Sequence, residues 1–228
     1  MKYIIKSSKE IFITYILNYI IIIITGLIYK ALGYNNLEFL VNNIIPYILL
    51  IFYTLTIIYL YKKNYIKEPE LNKRKSFSLI LLGISIATFL NMIIFLLLPS
   101  TTKVTIPVYL SLISSGIIGP IYEEILFRYL LYNRLKSKYS IRKSILITTI
   151  IFALIHISPI KIIYAFILGL ILNITYEKYH NIKAPILIHI AANTIVIFLY
   201  EYNTYILLLS IINLIISIKL NNFKFTKS

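Results

Sequence analysis

The chain has 228 residues, 59% of them hydrophobic, and a mean hydropathy of +0.85. A soluble domain of this length cannot bury so much apolar surface, so composition excludes an ordinary water-soluble fold and demands a membrane. The net charge of +15 sits in short loops between apolar runs, which reads as charge asymmetry across a bilayer and not as a nucleic-acid surface, and the lack of cysteine excludes disulfides and thiolate chemistry.

Eight apolar stretches are expected to form helices, near 11–29, 41–61, 77–98, 108–133, 143–157, 160–176, 184–200 and 203–219. The expected fold is therefore all-α, a polytopic membrane protein with about eight transmembrane helices. The first stretch lacks a small-residue cleavage pattern and is followed by further spans, so it reads as a helix and not as a cleaved signal. Most of the stretches approach the roughly 20 residues needed to cross. The fifth to seventh are short, and the fourth is long enough to project beyond the hydrocarbon.

Basic residues cluster in alternate loops: Lys2, Lys6 and Lys9; Lys62 to Lys75; Arg134 to Lys143; and Lys219, Lys224 and Lys227. The turns around Lys30, Lys103, Lys161 and Glu201 are weakly charged. The positive-inside rule then places both termini in the cytoplasm, provided the last helix crosses. The basic stretch 62–75, which contains Pro69, divides a front segment 1–75 from a core 76–228. Polar and small-residue signals concentrate in 104–200. Heavy use of Ile, Lys, Asn and Tyr with little Ala suggests AT-rich coding and a bacterial cell membrane.

Glu123 and Glu124 stand inside the apolar text GIIGPIYEEILFRYLLY. A charge near the bilayer centre costs about 2.5–3.5 kcal/mol on insertion scales, so a buried acidic pair marks a functional site by default. Glu124 and Arg128 are spaced i,i+4 with the glutamate first, the favourable order for an ion pair on one helix face. Glu123 points about 100° away. One reading has both glutamates neutralise Arg128; the sharper one braces Glu124 on Arg128 and turns Glu123 toward a polar cavity. Pro120 removes a backbone donor just upstream and is expected to kink the helix, while Gly116 and Gly119 permit close helix contact.

Two further clusters carry polar groups in apolar text. His156 follows Phe152 by one turn in IFALIHISPI, before a break at Ser158–Pro159. His189 and Asn193 are spaced i,i+4 in ILIHIAANTIV, beside Ala191 and Ala192, which let another helix approach. Each could be interfacial or interhelical polar structure on its own. The third histidine, His180, lies in a charged turn and reads as a surface residue. Glu, Glu, His, His and Asn in one secluded cavity suit water activation by a carboxylate base, with hydrogen bonds to a developing oxyanion. Glu123, His156 and His189 are also the donor types of a catalytic zinc site, although no HExxH occurs, so zinc-assisted and metal-free mechanisms both stay open.

These residues resemble the CAAX-protease and bacteriocin-processing (CPBP) membrane proteins, also called Abi proteins. EEILFR matches the family's EExxxR, FALIH its FxxxH and HIAAN its HxxxN, in that order, across roughly 104–200. The resemblance implies a multi-helix intramembrane endopeptidase in which Glu123 is the general base and Glu124 and Arg128 organise the site. It further implies that His156 holds the water or a metal and that His189 and Asn193 stabilise the oxyanion. Where the family often reads FRG, this chain has Phe127, Arg128 and Tyr129, which alters the room available in the helix contact.

The expected function is hydrolysis of a peptide bond near the cytoplasmic side, on a peptide or membrane-protein substrate within lipid and without nucleic acid. The alternatives are a non-catalytic bacteriocin-immunity or scaffold protein and a proton-coupled transporter, though no internal repeat suggests a transporter's inverted halves. Ideal perpendicular helices would not bring His156, Glu123 and His189 to one depth. Tilts, kinks or an early start of the fifth helix are therefore expected.

Overall fold

The computed structural model describes residues 2–63, 68–97, 106–199 and 201–221, with side chains from Ile13 onward apart from positions 61 and 63. Lys67, Lys103, Lys224 and Lys227, among the basic positions expected above, lie outside the described residues. Eight helices account for nearly all of the described chain, and no strand occurs among those residues. In chain order they are α1 (Lys2–Ala31), α2 (Leu37–Leu60), α3 (Lys73–Leu97), α4 (Val108–Lys136), α5 (Ile141–Leu154), α6 (Pro159–Tyr179), α7 (Lys183–Val196) and α8 (Thr204–Asn221). The protein is thus a polytopic all-α membrane protein.

Six of these helices, α1 to α4, α6 and α8, are long and apolar enough to cross a membrane. At 14 residues each, α5 and α7 reach only about 21 Å against a hydrocarbon core of about 30 Å. The sixth helix, expected to be short, runs 21 residues from Pro159 because proline is well suited to a first helical position. Conversely, α5 ends before His156, three residues short of its expected limit. The chain turns there through Ile157, whose φ of 62° is in the left-handed region that a β-branched residue rarely adopts.

Burial separates the helices into a wrapped centre and a lipid-facing front. All eight residues from Ile125 to Tyr132 of α4 are buried, the pattern of a helix surrounded on every side. One apolar cluster joins this stretch to Phe152 and Ala153 of α5, Ala165 and Tyr176 of α6, and partly buried Tyr15 and Tyr53 of the front helices. A second joins Leu79, Leu82 and Ile86 of α3 to Leu168 and Leu172 of α6 and to Ala184, Ile188 and Ala192 of α7. Gly83 makes that second contact possible, because a Cβ there would lie 2.3 Å from the Ile188 carbonyl oxygen. Most of the α1 and α2 surface remains outside either cluster.

The path of α4 is not a uniform α-helix. Its turns widen over Leu112–Ile118 and again over Ile125–Tyr132, and the Gly119 N–H reaches back five residues to the Ser114 carbonyl. Pro120 supplies a cause for the first widening: it has no N–H to give to the Gly116 carbonyl, and its ring crowds that turn. A Cβ on Gly119 would stand 3.0 Å from the Ser114 oxygen, so the closed-up backbone favours glycine.

The loop before α3 is tied to the turn between α6 and α7. Glu68 Oε2 accepts a hydrogen bond from the Ile182 N–H at 3.1 Å, and Asn181 donates its side-chain amide to the Pro69 carbonyl. Burial pushes the Glu68 carboxyl up from its ordinary value, while the Ile182 N–H and Lys183 act in the opposite sense. The carboxylate sits at the N-terminus of α7, where the helix dipole favours negative charge.

Candidate active site

Two helices, α4 and α7, meet at one carboxylate oxygen. On α4, Glu124 and Arg128 are fully buried, and Arg128 Nη1 donates to Glu124 Oε1 at 2.9 Å. The same oxygen lies 2.7 Å from His189 Nδ1 on α7. Because a carboxylate accepts and does not donate, the imidazole proton belongs on Nδ1. That arrangement turns Nε2 toward Glu123, whose Oε2 lies 3.7 Å away. A carboxylate oxygen engaged by a guanidinium and an imidazole together is offset against the cost of burying it.

The two glutamates differ sharply in surroundings. Glu124 is inaccessible, whereas the Glu123 side chain is 26% exposed. The phenols of Tyr15, Tyr53 and Tyr122 lie within electrostatic range of Glu123, bringing α1 and α2 to this edge of the site. Tyr53 and Tyr122 stack with ring centroids 4.2 Å apart, and Asn18 donates to the Tyr53 hydroxyl at 3.3 Å.

Phe152 of α5 touches three site residues. The Arg128 guanidinium carbon lies 4.3 Å from its ring centroid, a cation–π contact in a desolvated setting. His156 and His189 meet the ring edge-on, with centroids 5.0 and 5.9 Å away. His156 is half-buried, and its Nδ1 is 2.8 Å from the Phe152 carbonyl, which again fixes the proton on Nδ1 and leaves Nε2 outward.

Asn193 is not joined to His189 one turn away. Its Nδ2 donates at 3.0 Å to the carbonyl of Ser115, inside the first widened stretch of α4. The structure therefore brings Glu123, Glu124, Arg128 and His189 into direct contact, sets His156 beside them across Phe152, and anchors Asn193 on the neighbouring backbone. His180 lies apart from them, as the left-handed residue that ends α6.

The donor chemistry of Glu123, His156 Nε2 and His189 Nε2 would suit zinc. Among the described residues, however, no three His, Asp or Glu side chains converge into a group that could hold a metal ion. Glu124 and the Nδ1 atoms of both histidines are engaged with protein partners.

Sequence reasoning passed over α6. Its Gly169 carbonyl receives Arg128 Nη2 at 3.1 Å and Asn173 Nδ2 at 3.0 Å, and Asn173 also meets Thr149 Oγ1 at 3.0 Å. A Cβ at Gly169 would fall 2.8 Å from the Phe152 ring. An asparagine in the apolar text LGLILNITY, opposite the Thr148–Thr149 pair, is the signal that marked this contact.

Comparison with known proteins meets this geometry at the same segment. Residues 105–195 match the family described as "Type II CAAX prenyl endopeptidase Rce1-like". The chain is also similar to the protein named "Putative membrane peptidase YdiL" from Bacillus subtilis (strain 168), at 32% identity over 88 residues, 39% of this chain and 36% of that one. The shared stretch thus spans about a third of the relative's length. No solved structure matches the chain.

Proposed function

From the match of residues 105–195 to the Rce1-like family, we propose that this protein is a membrane protease that hydrolyses a peptide bond with water activated by Glu123. The observation that carries the reading is the pairing of a partly exposed carboxylate, Glu123, with an imidazole nitrogen 3.7 Å away whose ring is held from behind by Glu124. That gap is too long for a direct hydrogen bond and suits a water shared between the two.

In this mechanism Glu123 takes one proton from the water as its oxygen attacks the scissile carbonyl carbon. His189 Nε2 accepts a hydrogen bond from the same water and aims its lone pair. Arg128 holds Glu124, and Glu124 holds the Nδ1–H tautomer of His189, so the ring cannot flip without breaking a buried charged contact. Asn193 gives one amide hydrogen to Ser115, and its second is available for the tetrahedral oxyanion. Both water hydrogens are then used, one by Glu123 and one by His189, while His156 lies beside them across the Phe152 ring. Collapse of the intermediate breaks the C–N bond, and Glu123 returns its proton to the leaving amine. The donor set does not converge on a metal, and no step here requires one.

The substrate is a peptide or membrane-protein segment, and the distribution of basic loops supports a reacting end on the cytoplasmic side of a bacterial cell membrane. The test is cleavage of a peptide library in liposomes by wild type and Glu123→Gln. Removing the base is expected to lower kcat about 10²–10⁴-fold with folding intact. Full turnover by Glu123→Gln overturns the assignment.

A further inference from the structure

The contact on α6 has a role beyond joining helices. The Gly169 carbonyl is held between side chains of α4 and α6, and Asn173 bridges it to Thr149 on α5. Asn173, Thr149 and Arg128 are all fully buried. The amide orientation follows from chemistry: a carbonyl only accepts, so nitrogen must face Gly169. Both amide hydrogens are then used, one within α6 at Gly169 and one on Thr149 of the neighbouring α5.

This bridge sets the spacing between α5 and α6 where they hold the guanidinium. Phe152 of α5 covers one face of Arg128, and the Gly169 carbonyl of α6 receives Nη2. A shift of α6 along α5 would move both at once, and Arg128 would carry the change to Glu124 and on to His189. The bridge is also costly. Asn173 Oδ1 and Arg128 Nε are buried without a hydrogen-bond partner. Each such group costs about 1–3 kcal/mol, and an apolar side chain of similar shape would avoid one of them. Packing alone would favour leucine at this position.

We propose that Asn173, braced by Thr149, is a positioning residue that fixes Arg128 and thereby the Glu124–His189 pair. Its effect on turnover rests on the hydrolytic reading of Glu123; its effect on the histidine does not.

The test uses full-length protein in nanodiscs with ¹⁵N-labelled histidine. Three histidines give few signals, and the His189 resonances are identified by their loss in His189→Gln. Asn173→Leu is expected to replace the single Nδ1–H pattern of His189 with a tautomer mixture while melting no lower than wild type. In the peptide assay it should lower kcat about tenfold with KM unchanged, the signature of a group acting on transition-state geometry alone. Asn173→Ser, whose hydroxyl can bond the carbonyl four residues back, should restore most of both readouts.

Should Asn173→Leu fail to fold, Thr149→Val removes the brace at constant shape and should show the same histidine change. An unaltered His189 pattern in whichever variant folds overturns the proposal, as does a matched fall in melting temperature and turnover that Asn173→Ser does not recover. If wild type cleaves nothing while the histidine responds, the hydrolytic reading fails and the positioning role stands.

Discussion

Arg128 lies with its guanidinium carbon 4.3 Å from the centroid of the Phe152 ring, and the opposing contacts on that guanidinium are a carboxylate and a backbone carbonyl. A desolvated contact of this kind contributes about 2 kcal/mol. Phe152→Leu keeps an apolar side chain but removes the ring's negative face. It is expected to lower the unfolding free energy in detergent by about that amount. Turnover should fall further than stability, because the ring also seats His156 and His189. Equal losses in both would show the ring to be packing alone.

Gly169→Ala inserts a methyl group 2.8 Å from the Phe152 ring edge and 3.4 Å from Arg128 Nη2. Overpacking of this kind typically costs about 1–3 kcal/mol. Gly83→Ala meets a backbone oxygen at 2.3 Å, which cannot turn aside as a ring can. Thermal unfolding should therefore rank Gly83→Ala as the more damaging, while peptide cleavage ranks Gly169→Ala lower than its stability alone explains.

The Glu124–Arg128 pair is suited to a double-mutant cycle. Either Glu124→Gln or Arg128→Met leaves one buried charge without its partner and should cost about 3–5 kcal/mol. The double variant should recover much of that stability, since both charges leave together. It should not recover cleavage, because the Nδ1 proton of His189 then faces a neutral amide. Additive single and double effects on stability would count against the coupling.

Glu68 makes one component of stability pH-dependent. Its carboxyl is raised in the fold by burial, so the folded protein holds that proton more tightly than the unfolded chain. The resulting stabilisation is fully present below the ordinary glutamate range. It is lost as pH climbs through that range to the raised value. Glu68→Gln can still accept from the Ile182 N–H and should flatten this part of the melting-temperature profile. Parallel profiles for the two proteins would rule the contribution out.

Local chemistry explains what the sequence discloses of this molecule. The apolar runs are legible because crossing lipid and packing inside the bundle both demand apolar side chains. The Glu124–Arg128 contact is legible because both residues lie one turn apart on α4. His189 is different. Its spacing suggests Asn193 as a companion, yet its Nδ1 meets Glu124 across two helices, and Asn193 turns to Ser115. The register of α7 against α4 decides that, and register is set by packing such as Gly116 of α4 on Thr194 of α7. The same holds for Asn173, whose partner Thr149 is 24 residues away. Pro120 foretells a disturbance in α4, but not that it is absorbed as widened turns.

Those widened turns give α4 an uneven tolerance to changes in length. A five-residue reach such as Gly119 to Ser114 accommodates one residue more than a regular turn. Removing a single residue from Leu112–Ile118 could tighten the turn and leave the downstream face where it is. The same deletion between Gly119 and Glu123 would swing Glu123 by about 100° around the axis. The helix thus holds an adjustable joint just ahead of its acidic pair, through which the front of α4 can lengthen or shorten while the reacting face stays in phase.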